Sequence, residues 1–345
     1  MKLAKIQQAI AGFARQKTSK QMKETITKKV FWAIVRKEFT DFLSSWRIII
    51  LLGIILLTCV GSLYTAVTTI QDAINSYQDG GRIGRNSYLF LQMFTISDGN
   101  LPSFLSFVSF LGPLLGIALG FDAINSERSK GTLSRLMAQP IPRDYVINAK
   151  FVAALFINIV LFIALGMLVM AFGILILGIP PSIDEFLRVI SFLFLILIYI
   201  AFWINLAILF SVIFRQQATS ALSSMALWLF FLVFYSMIVK LLTNSYLEEA
   251  GSTNEYVSRY NAVLNIYRFS PNYLFQESTT VLLSPTVRST GLMTMEQVTG
   301  SIASPLVLKE SLLLIWPQLT GLIAATLVCF AIAYVLFMRQ EIRSN

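Results

Sequence analysis

The chain has 345 residues, of which 56% are hydrophobic and only 13% charged, and its mean hydropathy is +0.71. That balance excludes an ordinary soluble globular protein and marks an integral membrane protein. The net charge of +9 comes with no nucleic-acid recognition motif, and the lack of histidine removes His-dependent triad or acid/base chemistry and most metal sites.

Residues 1–28 form a basic tail whose expected contact is anionic lipid headgroups. No early apolar core follows the first residues, so a cleaved signal peptide is not expected. Over 29–46, Phe31, Ile34, Val35, Phe39, Phe42 and Leu43 recur at helical offsets, while Arg36, Lys37, Glu38 and Asp41 take other angles. This predicts an amphipathic helix along the inner membrane surface, the alternative being a plain extension of the first span.

A hydrocarbon core about 30 Å thick needs roughly 20 consecutive apolar helical residues. Six runs meet that length: 47–70, 101–124, 151–178, 186–214, 218–242 and 312–338. Each is read as helix, because a lone spanning segment must satisfy its own backbone and the alternation of a barrel strand is missing. The fold class is therefore an all-α polytopic membrane protein, with spans one to five in 47–242 and the sixth span plus a short tail in 312–345. Ionisable residues lie only at span ends, as with Arg47 and Asp122, which disfavours an ion-coupled carrier. Cys59 and Cys329 fall inside spans as packing residues. No GxxxxGK[ST] loop occurs, so no ATP hydrolysis is expected from this chain.

Between the first two spans, residues 71–100 contain "DGGRIGRN", a flexible-loop signature. Residues 243–311 are too polar for two more spans and read as a small external element, lying on the bilayer surface or capping a dimer. Of the 27 Lys and Arg residues, 19 lie on the side of the termini and of the 126–150 insert, and 8 on the other. The positive-inside rule then predicts cytoplasmic termini in a cell membrane.

The insert "SERSKGTLSRLMAQPIPRDYVINAK" separates spans two and three. A single helix is predicted over 127–138, capped by Ser126, ended by Pro140 and Pro142, and carrying Leu133, Leu136 and Met137 along one side. Arg128, Lys130 and Arg135 surround that stripe. Such a piece suits docking into a groove on another protein, although short basic loops also serve simply to fix topology.

The segment "NSERSKGTLSRLMAQPIPRDYVINAKF" resembles the stretch after the second span of ABC-2-type transporter permeases, through Glu127, Gly131, Thr132, Leu133, Leu136, Pro140, Arg143 and Lys150. "FWAIVRKEFTDFLSSWR" resembles the elbow helix of that family, centred on Arg36, Lys37 and Glu38, and "FMRQEIRS" resembles its ending. The resemblance covers roughly residues 30–343. It implies a type V exporter-like arrangement, two paired permease chains, identical or not, and two copies of a separate ATPase subunit that hold the ATP and Mg²⁺. The insert, 126–142, would be the coupling helix, with Glu127, Arg128, Gly131, Thr132, Leu133, Arg135 and Leu136 as coupling residues, Leu133, Leu136 and Met137 either anchoring in the ATPase groove or packing under the membrane bundle, and Arg215 and Gln216 as a second, smaller contact. Glu38 would cross-link elbow and insert. A substrate path between the two copies would pass Ser106 and Ser109 of span two and Ser220, Ser224 and Trp228 of span five, residues that serve tight helix packing equally well. With no charged lining in the spans, the expected cargo is amphipathic or lipid-like. The alternatives are a membrane transmitter that drives an external partner without carrying solute, and an unrelated six-span channel or carrier.

Overall fold

The computed structural model describes residues 29–78, 88–97, 99, 101–138, 141–178, 180–289 and 305–340. The 1–28 tail, the "DGGRIGR" core of the first loop, Pro140 and the segment 290–304 lie outside them. Every regular element among the described residues is helical, and six helices are long and apolar enough to cross a membrane, matching the six predicted spans. Helix α1 covers 29–44 and is separated by the single residue Ser45 from α2, Trp46–Gln78. Next come α3, Leu89–Thr95, and α4, Phe104–Gly120. The insert holds α5, Asn125–Ser129, and α6, Thr132–Met137, and leads into α7, Arg143–Leu177, and α8, Ile183–Ile213.

The fifth span is α9, Gln217–Leu229, continued through one π-helical turn, Phe230–Phe234, into α10, Tyr235–Glu248. After it stand α11, Thr253–Tyr267, α12, Pro271–Leu283, α13, Leu308–Leu314, and α14, Trp316–Arg339, the sixth span.

The core is organised around α8, which packs on α4, α7, α9, α12 and α14. Its most apolar window is 72% buried, against 11% for the α9–α10 span. The α4–α8 approach depends on glycine: a Cβ at Gly120 would sit 2.7 Å from the Ile204 carbonyl oxygen, and one at Gly116 would sit 3.0 Å from Trp203 Cβ. Small residues here let two backbones close up where dispersion is the main attraction between helices.

Three expectations change. The residues after the first loop do not all form an irregular connection, because α2 runs on to Gln78 and α3 buries Phe90, Leu91, Met93 and Phe94 between α2, α4 and α7. Part of the external element is not at the surface, since α12, among its described residues, is largely buried. Helices α10 and α11 form an antiparallel hairpin, with Arg259 donating to the Tyr246 carbonyl and Tyr235 to that of Ile266, and α12 then returns inside the bundle against α8 and α14. At about 1.5 Å rise per residue, Tyr199 lies about 24 Å along α8 from Ile183. Asn272 at the start of α12 meets that residue, while Leu282 at its end meets Arg188, so α12 reaches the middle of α8 from the far end.

The hydroxyls of α12 explain how a polar-looking helix is buried. The buried Ser278 and Thr279 donate to the carbonyls of Leu274 and Phe275 at 2.7 and 2.9 Å, so they carry little unmet polarity inward, while Thr280, which donates to that of Gln276, is exposed. Tyr199 stacks on Phe275 with ring centroids 4.2 Å apart, and its hydroxyl lies 3.1 Å from the Ser109 carbonyl and 2.8 Å from Asn272 Oδ1. Pro113 cannot donate to Ser109, four residues earlier, and the Tyr199 hydroxyl satisfies that freed carbonyl.

The third change concerns Arg188, one of the 8 basic residues counted above on the side away from the termini. It is fully buried, donating to Asp184 Oδ2 at 2.7 Å, to the Leu282 and Leu306 carbonyls at 3.0 and 2.6 Å, and to Ser311 Oγ at 3.0 Å. One guanidinium thereby ties α8 to the end of α12 and to the start of α13.

Candidate coupling site

The insert does not form one helix. Gly131 takes φ +67, a left-handed conformation that glycine adopts without steric cost, and divides it into α5 and α6. Nor does Ser126 cap it. The first amides of the insert, those of Ile124 and Asn125, donate instead to Ser211 Oγ of α8 at 2.9 and 3.2 Å. A long-range hydroxyl thus satisfies the helix start and pins it to the C-terminal end of α8.

Glu127 points inward. Its Oε1 lies 2.9 Å from Lys150 Nζ, and the same ammonium lies 2.9 Å from Glu38 Oε2 of α1. The Lys150 side chain is 5% exposed, so one buried cation joins α1, α5 and α7, the three elements that meet at this end of the bundle. Lys37 adds contacts of 3.0 Å to Glu38, 3.2 Å to Asp41 and 4.0 Å to Glu127. Burial alone would raise the Glu38 carboxyl, but the Lys150 and Lys37 ammonium groups hold it below the ordinary glutamate range. For Lys37 burial pulls downward, and Glu38 and Asp41 outweigh it and raise the ammonium.

The elbow sequence accounts for this placement. Val35 is buried against Ala149 and Ala153 of α7, with Phe31, Ile34, Phe39 and Phe42 around them. The apolar stripe of α1 therefore packs on the first turns of α7, which sets Glu38 beside Lys150. Arg36 stays exposed on the opposite side.

The other coupling candidates separate by exposure. Leu133 is 2% exposed and belongs to the main core, so it packs under the bundle instead of facing outward. Arg128 donates to Gln340 Oε1 at 2.8 Å, while Gln340 Nε2 donates to the Val212 carbonyl at 2.7 Å, which clasps the insert to the ends of α8 and α14. Gly131, Thr132 and Arg135 are exposed, as are Arg215 and Gln216 in the neighbouring turn. Leu136 lies in α6, and its side chain is outside the described residues. Ser211, Lys150 and Gln340 were not singled out above as parts of the site; an alternation of charge among Glu38, Glu127 and Lys150 was the available signal.

The path candidates scatter. Ser109, Ser220, Ser224 and Trp228 are buried inside the single chain, and Ser106 is exposed beside Ser103, Oγ to Oγ 3.0 Å. Trp228 packs edge-on against Phe110 at 5.0 Å, and Ser224 Oγ donates to the Ser220 carbonyl at 2.8 Å. Among the described residues no cluster of three or more His, Cys, Asp or Glu side chains is suited to hold a metal ion.

Residues 32–342 match the family model described as ABC-2 family transporter protein. The chain is also similar to a probable ABC transporter permease protein NosY of Stutzerimonas stutzeri, 29% identical over 150 residues, 43% of this chain and 47% of that protein. The protein of the same name in Pseudomonas aeruginosa is 26% identical over 217 residues, 60% of this chain and 69% of that protein. The matched region therefore spans about half the length of the first relative.

Proposed function

The chain belongs to the ABC-2 transporter family and is a permease subunit of an ABC transporter, and we propose that a separate ATPase, docked on the insert, drives it to export an amphipathic or lipid-like cargo. The observation that carries this reading is the clamp at Lys150, where the insert, the elbow and the third span share one buried cation. A push on α5–α6 is then delivered to α1 and α7 through Lys150, to α8 through Ser211, and to α14 through Gln340. Helices clamped at one end transmit displacement as rigid bodies, the kind of motion that shifts a packed bundle between two arrangements.

Arg135, Thr132 and Gly131 with Arg215 and Gln216 are the exposed groups available to the ATPase. Two ATPase copies, holding ATP and Mg²⁺, and a second permease chain complete the assembly, with the insert end and the termini in the cytoplasm. Cargo passes between the paired chains, since the interior of the single chain around α8 is closely packed.

The test is co-purification with the ATPase, followed by transport in sealed vesicles. Arg135→Glu combined with Arg215→Glu should leave membrane insertion intact and reduce bound ATPase by about tenfold or more, as expected when charge pairs across an interface become like-charged. Unchanged binding would remove the docking assignment. ATP-dependent movement of a fluorescent lipid-like probe supports export; full ATPase stimulation without movement of any probe would replace export by transmission of force to an external partner.

A further inference from the structure

Between α1, the start of α2, the end of α4 and the insert lies a cleft of about 660 Å³. Wells of about 300–1,000 Å³ hold small ligands. Its described lining carries as many carboxylates as cations: Glu38, Asp41, Asp122 and Glu127 against Lys37, Arg47, Lys130 and Lys150. A ligand of one sign would meet four opposed charges and four repelling ones. A ligand with both signs a few ångströms apart would meet neither penalty.

The charges also divide by how firmly they are held. Lys150 is buried between Glu38 and Glu127 and is fixed. Lys37 with Asp41, at 3.2 Å, and Arg47 with Asp122, at 2.8 Å, are pairs whose cations are 61% and 62% exposed. Such pairs are worth little by themselves and exchange readily for ligand partners. Lys130 is exposed and forms no ion pair among the described residues. Glu127 lines the cleft with a side chain 14% exposed, and its Oε2 has no hydrogen-bond partner among the described residues.

The surroundings give the cleft its level. The first span begins at Trp46, between the lining residues Ser45 and Arg47 in sequence, and this side chain is 72% exposed, in the manner of tryptophans at a membrane–water interface. Phe42, Ile48 and Ala118 also line it, and the next residues of α2 after Ile48, Ile49 and Ile50, are exposed. Polar walls at headgroup level that open onto an apolar helix face suit a molecule with a charged head and acyl chains.

We propose that this cleft binds the headgroup of a zwitterionic phospholipid bearing a primary ammonium and a phosphate, with its chains along α2. The phosphate lies toward Lys130, Lys37 and Arg47, and the ammonium toward Asp41 and Glu127. A primary ammonium donates N–H bonds to carboxylates; a quaternary one has none to donate and is recognised by aromatic cages, whereas the aromatic side chain in this lining is Phe42 alone. The site does not depend on what the transporter carries.

Native mass spectrometry of the full-length protein, purified in detergent and titrated with phosphatidylethanolamine, phosphatidylcholine and phosphatidylglycerol, tests this. Phosphatidylethanolamine should be retained about tenfold better than either of the others, one charge-assisted contact being worth about that factor. Asp41→Asn and Lys130→Gln, both at exposed positions, should each remove most of that preference; melting temperatures equal to the parent's establish that the fold is kept. Equal retention of the three lipids, stronger retention of the anionic one, or a preference unchanged in both variants overturns the proposal. Water-soluble phosphoethanolamine should compete, and inorganic phosphate should not. Binding of phosphoethanolamine without any lipid retention would assign the cleft to a soluble zwitterion and overturn the lipid source.

Discussion

Lys150 and Arg188 are buried cations at opposite ends of the bundle, and their partners differ in kind. Lys150 lies between two carboxylates, Glu38 and Glu127, each 2.9 Å away. Arg188 has one carboxylate, Asp184, and otherwise binds two carbonyls and a hydroxyl. The ammonium is a compact charge and neutralises side chains; the guanidinium is a planar fork and here holds two backbone carbonyls, a carboxylate and a hydroxyl at once. The insert end is thus fixed by charge pairs that a partner's charges can disturb. The far end is fixed by a fork on main-chain oxygens that is indifferent to such charges. A machine pushed at one end and required to keep its shape at the other would be built in that way.

The largest effect should follow from Arg188→Met. It removes the only charge partner shown for Asp184 and leaves the Leu282 and Leu306 carbonyls without their donor, for a loss of about 3–5 kcal/mol, the scale of breaking a buried pair. Unfolding of the detergent-solubilised protein measures it. Arg188→Lys should restore less than half, because an ammonium cannot span the three segments; full restoration by lysine would show that charge, not the fork, holds α12.

Lys150→Met should cost somewhat less, about 2–3 kcal/mol, since Lys37 remains near both carboxylates. Adding Glu38→Gln and Glu127→Gln should recover most of the stability, as neutral replacement of a whole buried network is tolerated far better than removal of one member. The restored triple variant then sharpens the comparison: stable protein with reduced ATPase stimulation would place the charges in coupling, while normal stimulation would confine them to folding.

Tyr199→Phe, between the two ends, should cost about 1–2 kcal/mol by orphaning the Ser109 carbonyl that Pro113 leaves free. A hydroxyl has one proton, and Asn272 Nδ2 has no acceptor as placed. Turning that amide over makes a single chain of donors, Asn272 to Tyr199 to Ser109. Asn272→Ala should then weaken the Tyr199 contact without abolishing it, and a double-mutant cycle between the two positions reads the coupling.

The six spans were legible because their signal is additive: length and hydropathy accumulate over 20 residues whatever the neighbours are. What stayed hidden depends on partners distant in sequence. Helix α12 is 13 residues long with hydroxyls at three consecutive positions, so a hydropathy window reads it as exposed, and the intrahelical bonds of the buried Ser278 and Thr279 make it fit for burial. Arg188 looked like an ordinary charge at a span end, because the fourth span was started at Phe186, two residues before it. The Ser182–Glu185 capping box, in which each side chain bonds the other's backbone, starts the helix at Ile183 and makes Asp184 and Arg188 an i,i+4 pair inside it. That S-x-x-E spacing was readable. At the insert, the charges and Gly131 were legible as features, but their direction was not: the inward turn of Glu127 and the burial of Leu133 follow from α1, α7 and α8, which no local pattern encodes.

The smallest effect concerns pH and belongs to the insert end alone. The Glu38 carboxyl is held below the ordinary glutamate value of about 4.3, because the attraction of Lys150 and Lys37 exceeds the cost of its burial. The unfolded chain therefore binds a proton at Glu38 before the folded one does, and stability falls as pH drops from about 4.3 through the lower folded value. Above that window the contribution is fully present and constant. Melting temperatures taken from pH 6 to pH 3 should decline less steeply for Glu38→Gln than for the parent protein, and the two curves should run parallel above pH 5. An acid slope equal in the parent and in Glu38→Gln would mean that the Lys150 clamp is not where the insert end takes its stability.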